Sequence, residues 1–385
     1  MSGVMDFEDR TPLPRCLPAL EEEARGATGE SDFGPGEYRE GLACLLEACE
    51  NESNLTAMGR FAVKQQVVTG LKGRLASEAG FRRHPESATH AIERPILIVG
   101  MPRTASTTLQ RVLARDPALQ GLEMWLADAP MPRPPRAEWS SIPAFVDCDT
   151  RTQAMYAASP ELRAIHDMDA DEWDECWHLL RQSFGSVSFE CSFRVPSYSR
   201  WWASCDMGPN YQRYRRNLQL IGARESSKRW LLKDATHMFH LVRFLEVFPD
   251  ACVVTTMRDP RKMIPSVASL AATMMRPAVA DFDPREHGRA QLELWVRGLR
   301  RIDEVCAGLP SERFYRMEFD DFQADPMREV RRIYDRFGIG LSTEAELAMR
   351  AWIAENRKGK HGAHAYSAEE YGLSEEEIGR RFAPT

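Results

Sequence analysis

The sequence predicts an α/β protein: a three-layer sandwich around a parallel sheet, preceded by a helical lobe and carrying a helical lid. Three observations carry this. Segments too short for helices read as strands at 95–99, 230–233, 251–257 and 313–319, the first of them a continuous apolar run. Stretches with helical spacing separate them, and alternating strands and helices give a parallel sheet with right-handed crossovers. The first run, Ile96 to Val99, breaks at Gly100 into a hydroxyl-rich turn that leads into a helical pattern.

The elements come in chain order. Residues 1 to about 35 are rich in Pro, Gly and acids and predict a loosely ordered start. Leu42, Leu45 and Leu46, then Phe61, Val63, Val67, Val68 and Leu71, recur at helical spacing and predict two helices over 37–80. The chain divides into a mostly helical extension, 1–90, and a main domain, 91–385. In that domain the strand at 95–99 feeds a helix over about 106–115, which ends near Asp116-Pro117. The prolines of 130–136 remove donors and fix φ, so this is a surface loop. It opens a helical insertion over about 130–228, whose 151–225 stretch carries Trp173, Trp177, Phe184, Phe189, Trp201, Trp202, Tyr211 and Tyr214. Helices are also expected over 237–248, from Pro260 through Leu270, and over 326–337.

Composition narrows the class. The 385 residues are 43% hydrophobic and carry a net charge of −7, which argues against a general nucleic-acid binder. The cysteines form no C-x-x-C pair and read as free thiols of a reducing compartment. No run approaches the ~18 apolar residues of a membrane span, and the acidic start has no signal-peptide core. A cytoplasmic protein is expected, with no transmembrane segment and no metal site, since no His/Cys/Asp grouping has ligand spacing. A homo-oligomer is left open.

The turn after 95–99 is a phosphate-binding loop. Backbone N–H groups at a turn and a helix N-terminus cradle anionic oxygens, and Arg103 adds fixed positive charge. It is not the nucleotide-triphosphatase loop, G-x-x-x-x-G-K followed by Ser or Thr. Counting from Gly100, the sixth position is Ala105 and the seventh Ser106, so the lysine is absent.

Several motifs now agree in order. Pro102-Arg103-Thr104-Ala105-Ser106-Thr107 is followed by Arg258-Asp259-Pro260 with Ser266 eight residues after Arg258. Phe319-Asp320-Asp321-Phe322 with Asp325-Pro326, then Arg357-Lys358-Gly359-Lys360-His361-Gly362, complete the set. In this order they resemble the sulfotransferase superfamily, specifically its bacterial-type branch, over roughly 95–382. His364, Tyr366 and Tyr371-Gly372-Leu373 resemble the tail of that branch.

The resemblance implies a P-loop-like sulfotransferase fold. It implies a donor, 3′-phosphoadenosine 5′-phosphosulfate (PAPS), that leaves as the 3′,5′-bisphosphate PAP, without metal. The loop residues Arg103, Thr104, Ala105, Ser106, Thr107 and Thr108 would hold the 5′-phosphosulfate, and Arg258 and Ser266 the 3′-phosphate. Arg357, Lys358 and Gly359 would close over that phosphate, and Phe319 would pack on adenine. The insertion becomes an acceptor lid whose aromatics fit an apolar small-molecule or lipidic hydroxyl.

Sulfuryl transfer needs positioning and charge stabilisation. Arg103 would stabilise charge on the bridging oxygen, and Lys233 would add charge at the transferring group. The acceptor hydroxyl needs a base. Glu123, twenty residues after Arg103, is the first candidate, at an offset similar to that in tyrosylprotein sulfotransferases. His237, four residues after Lys233, is the second. His166, Glu175 and His178 are further residues for contact with the acceptor. The family loop carries Gly where Ala105 stands, and Ala suits that position only at negative φ. Two rivals remain: a P-loop small-molecule kinase, and an inactive nucleotide-binding relative motivated by Ala105.

Overall fold

The computed structural model describes residues 10–158, 168–356 and 367–383. Five parallel strands form its sheet: β1 (Ile96–Gly100), β2 (Leu119–Gln120), β3 (Arg229–Lys233), β4 (Cys252–Met257) and β5 (Phe314–Glu318). Their order is β2-β3-β1-β4-β5, with Leu97 paired to Leu232 and to Val253. All five residues of β1 are buried, as expected for a parallel strand covered on both faces. Alternation divides its side chains between two cores. Leu97 and Val99 join the larger cluster, whereas Ile96 and Ile98 pack with Leu109, Val112 and Leu113 of the following helix and with Val330 and Ile333. The three-layer sandwich predicted from the sequence is therefore present.

The N-terminal region holds three helices, α1 (Leu13–Thr28), α2 (Tyr38–Glu52) and α3 (Ala57–Arg83). The pair over 37–80 matches expectation, but α1 corrects the loose start. Pro14 stands in its first turn, where it is tolerated; Pro18 lies one turn further in and forgoes a helix hydrogen bond, and the buried face of Leu13, Cys16, Leu20 and Ala24 holds the helix in place. The fully buried Arg74 fastens this lobe. Its guanidinium donates to the carbonyls of Phe33, Pro35 and Gln182, pairs with Glu37 at 2.7 Å and lies 4.2 Å over Tyr38.

The insertion is helical but broken. Trp177–Leu180, Ser188–Ser192, Pro196–Ser204 and Gly208–Ile221 are separated by turns, one at Phe184, whose φ is +52°. Most of its aromatics are core: Phe184, Phe189, Trp202, Tyr211 and Tyr214 are buried, and Trp173, Trp177 and Trp201 are partly exposed. Among the described residues no helix is long and apolar enough to cross a membrane.

The strand order places the site. The chain leaves β1 toward β2 and leaves β4 toward β5, in opposite directions, so a crevice opens where the carboxyl ends of these neighbours diverge.

Candidate active site

The loop between β1 and α4 (Ser106–Leu113) is built by close approach. A Cβ on Gly100 would lie 2.6 Å from Thr256 Oγ1 and 2.7 Å from the Thr256 carbonyl, so only glycine lets β1 close on β4 here. Thr104 Oγ1 donates to the Met101 carbonyl at 2.7 Å and accepts from the Thr256 hydroxyl at 2.6 Å. Two non-glycine residues take left-handed backbone: Arg103 and Ala105, both with φ +68°. The expectation of negative φ at Ala105 is thus corrected: alanine holds the conformation that glycine would supply, at a strain of ~1–2 kcal/mol. The loop keeps its shape. No side chain caps the start of α4, so the first-turn N–H groups of Ser106, Thr107 and Thr108 are left for an anion.

The carboxyl end of β4 supplies Arg258. Its Nη1 donates to the Arg103 carbonyl at 3.0 Å, and its guanidinium lies 4.3 Å over the Phe319 ring. Its Nε is buried without a partner among the described residues. Ser266 lies on the helix Pro260–Ala278, and its Oγ accepts from Arg103 Nε at 3.2 Å. Arg103, Arg258, Ser266 and Phe319 thus converge across the crevice, with a buried cationic donor unspent. Arg357, Lys358 and Gly359 lie outside the described residues, as does His166.

At the end of β3, Lys233 approaches the loop from the other side. Its Nζ lies 3.3 Å from Thr107 Oγ1 and 2.7 Å from Glu175 Oε1. Burial works against its charge, but Glu175, Asp174 and Asp234 outweigh it and raise its pKa. Burial, then the charge of Glu175, pushes the neighbouring Asp234 up to about 7. Both oxygens of Asp234 are taken, one by the Thr236 N–H and one by the Trp177 N–H.

Both candidate bases are engaged by other side chains. Glu123 precedes a short helix after β2, buried, with Oε2 accepting from Arg133 Nη2 at 3.0 Å and Nε at 3.1 Å. Arg133 also donates to Gln120 Oε1, the Gly121 carbonyl and Glu225, so the pair locks the sheet edge. Burial raises the Glu123 pKa against the pull of Arg133. His237 is fully buried among Tyr211, Tyr214 and Phe244, with Nδ1 3.0 Å from the Tyr211 hydroxyl. Burial drives its pKa down to about 3, so it stays neutral inside this cage. His178 is buried too, 3.8 Å from Asp128 and from Asp174, which leaves its ring little access to an acceptor.

In the sequence Glu175 is only one of several contact candidates. Its place beside Lys233 and Thr107 depends on the segment between Leu122 and β3: the Asp174 N–H donates to the Leu122 carbonyl and the Cys176 N–H to the Lys233 carbonyl. No local motif marks it. The one available signal is the lysine ending β3, a buried cation that requires a carboxylate.

A strand-end loop, an uncapped helix start and two arginines from neighbouring strand ends meet at one crevice, and a sulfotransferase family profile matches residues 95–343. The chain belongs to the sulfotransferase family. The crystal structure of sulfotransferase STF1 from Mycobacterium tuberculosis H37Rv covers 97% of this chain and 100% of its own at a TM-score of 0.89 and 39% identity. Sulfotransferase STF9 from Mycobacterium avium covers 97% and 96% at a TM-score of 0.87 and 27% identity. A curated relative from Mycobacterium bovis, omega-hydroxy-beta-dihydromenaquinone-9 sulfotransferase Stf3, is 26% identical over 74% of this chain and 73% of its own.

Proposed function

We propose that this enzyme transfers a sulfuryl group from PAPS to a hydroxyl of an apolar, lipid-like small molecule and releases PAP. The observation that carries the donor is the Arg258–Arg103–Ser266 bridge beside the uncapped start of α4. Two separate anion cradles face one crevice. The α4 amides fit a 5′-phosphosulfate, and Arg258 with its unspent buried Nε fits a 3′-phosphate. ATP has no 3′-phosphate to use the second cradle. The donor supplies an activated sulfuryl group on a good leaving phosphate. The chain supplies the rest: Arg103 and Arg258 orient the nucleotide, Phe319 faces its base, and Lys233 brings positive charge to the transferring end.

The acceptor class rests on two features. A cavity of about 320 Å³ is lined by Phe193, Val195, Met275 and Leu294 together with charged residues such as Arg200 and Arg297. Glu190 on the helix Ser188–Ser192 also lines it, while the adjacent Cys191 thiol is pushed up by burial and by the charges of Glu190, Glu175 and Asp234. The curated Mycobacterium bovis relative, named for a hydroxylated menaquinone, supports a lipidic alcohol as well.

The test is transfer of label from [35S]PAPS to an omega-hydroxylated menaquinone, with 1-naphthol as a phenolic comparison. Labelled ester from the long-chain alcohol is expected. Transfer to naphthol alone would move the acceptor to small phenols, and absence of any transfer would refute the activity.

A further inference from the structure

The geometry points to Glu175 as the catalytic base that takes the acceptor's proton, rather than Glu123, whose Oε2 is held by Arg133, or His237, which is fully buried. The inference rests on the PAPS reading and assigns its missing group.

Lys233 touches both the loop and Glu175, so the carboxylate stands within one side chain of Thr107, at the end of the loop where the sulfuryl group would lie. The pair is unlike a structural one. The side chain of Lys233 is 4% exposed and that of Glu175 28%, so the cation is sealed in while the carboxylate faces outward. Oε1 is pinned by Lys233, and Oε2 has no hydrogen-bond partner among the described residues. The neighbouring carboxylates are buried and more engaged: Asp234 accepts two amides, Asp174 Oδ1 accepts the Glu175 N–H at 2.6 Å, and Glu123 Oε2 accepts from both Nε and Nη2 of Arg133. A base needs a fixed direction and an open lone pair within hydrogen-bond reach of the substrate proton. Glu175 has both.

The step balances without a further reactant. The acceptor oxygen forms a bond to sulfur, and the bond from sulfur to the 5′-phosphate oxygen breaks. The acceptor proton passes to Glu175 Oε2, and the bond's electron pair leaves with the nucleotide. Lys233 serves both ends, orienting the base and offsetting charge near Thr107.

The test compares wild type, Glu175→Gln, Glu175→Ala and Glu123→Gln with [35S]PAPS and the omega-hydroxylated menaquinone, alongside PAP calorimetry. Glu175→Gln should lower kcat by about 100-fold or more with PAP affinity held within about twofold. Glu175→Ala should lose as much and recover part of its rate in formate, which can replace a proton acceptor but not a packing contact. Near-wild-type turnover of Glu175→Gln overturns the assignment. So does a parallel loss of PAP affinity, which would make the pair structural, or a comparable loss confined to Glu123→Gln. Wild-type enzyme that binds no PAP and transfers no label removes the PAPS reading itself, a result distinguishable from failure of Glu175 alone.

Discussion

Replacing Arg258 with alanine separates the two anion cradles. In the structure its Nη1 supports the Arg103 carbonyl at 3.0 Å, its face packs on Phe319, and its buried Nε is the group left for a phosphate oxygen. A hydrogen bond to a charged group contributes about 1.5–3 kcal/mol, so the variant should bind PAP about 10- to 150-fold more weakly. Adenosine 5′-phosphate lacks the 3′-phosphate and should lose far less, only the share due to a loosened Arg103 carbonyl. Calorimetry with both ligands gives the ratio of the two losses. A PAP-specific loss places Arg258 on the 3′-phosphate. Equal losses for both nucleotides, or none, would refute the reasoning, because the bridge would then only shape the loop. Ser266→Ala should show the same ligand preference with a smaller effect, and the double variant should be non-additive, since Arg103 links the two positions.

The same geometry sets further outcomes. Lys233→Met should leave PAP binding nearly intact and lower kcat strongly, measured in single-turnover transfer; a loss in binding alone would shift its role to the ground state. Ala105→Gly relieves left-handed strain of ~1–2 kcal/mol but frees the unfolded chain, so thermal stability should stay level or rise slightly, and a marked fall in stability or PAP affinity would contradict the strain account. Arg74→Ala leaves Glu37 and three carbonyls unpaired in the interior and should destabilise the fold by about 3–5 kcal/mol in denaturant titrations. Burial lowers His237 from 6.5 to about 3, so its contribution is full above pH 6.5 and is lost as pH falls toward 3. At pH 5 that loss is about 2 kcal/mol, and His237→Gln should lose that much less stability than wild type between pH 7.5 and 5; parallel profiles would mean the imidazole is not held neutral.

Much of the fold is legible in the sequence because its signals are local. The apolar runs of β1 and β4, and the loop with its arginine, are contiguous, and a strand buried on both faces has to be largely apolar. The helix α1 escapes detection because its prolines read as breakers: Pro14 falls in the first turn and costs no hydrogen bond, while Pro18 costs one that burial of the Leu13–Ala24 face offsets. The strand β2 spans two residues, too few for any period to register. At the site, spacing reveals Arg258 and Ser266 because one strand end and the helix after it carry both. Glu175 cannot be found that way: its partner Lys233 is 58 residues downstream, and only tertiary pairing through Leu122 and Lys233 brings the two together. Glu123 has the offset of a base, but Arg133, ten residues on, claims its carboxylate, and nothing in sequence marks an arginine in a proline-rich loop as a buried partner.

The central claim is that this site is built for a nucleotide carrying a 3′-phosphate and a 5′-anion. Calorimetric titration of the wild-type protein with PAP, ADP and ATP with magnesium tests it most directly. The account predicts that PAP binds at least about tenfold more tightly than ADP, with no gain from magnesium, one charge-assisted contact being worth that much. Tighter binding of ATP with magnesium than of PAP would contradict it and turn the crevice into a kinase site.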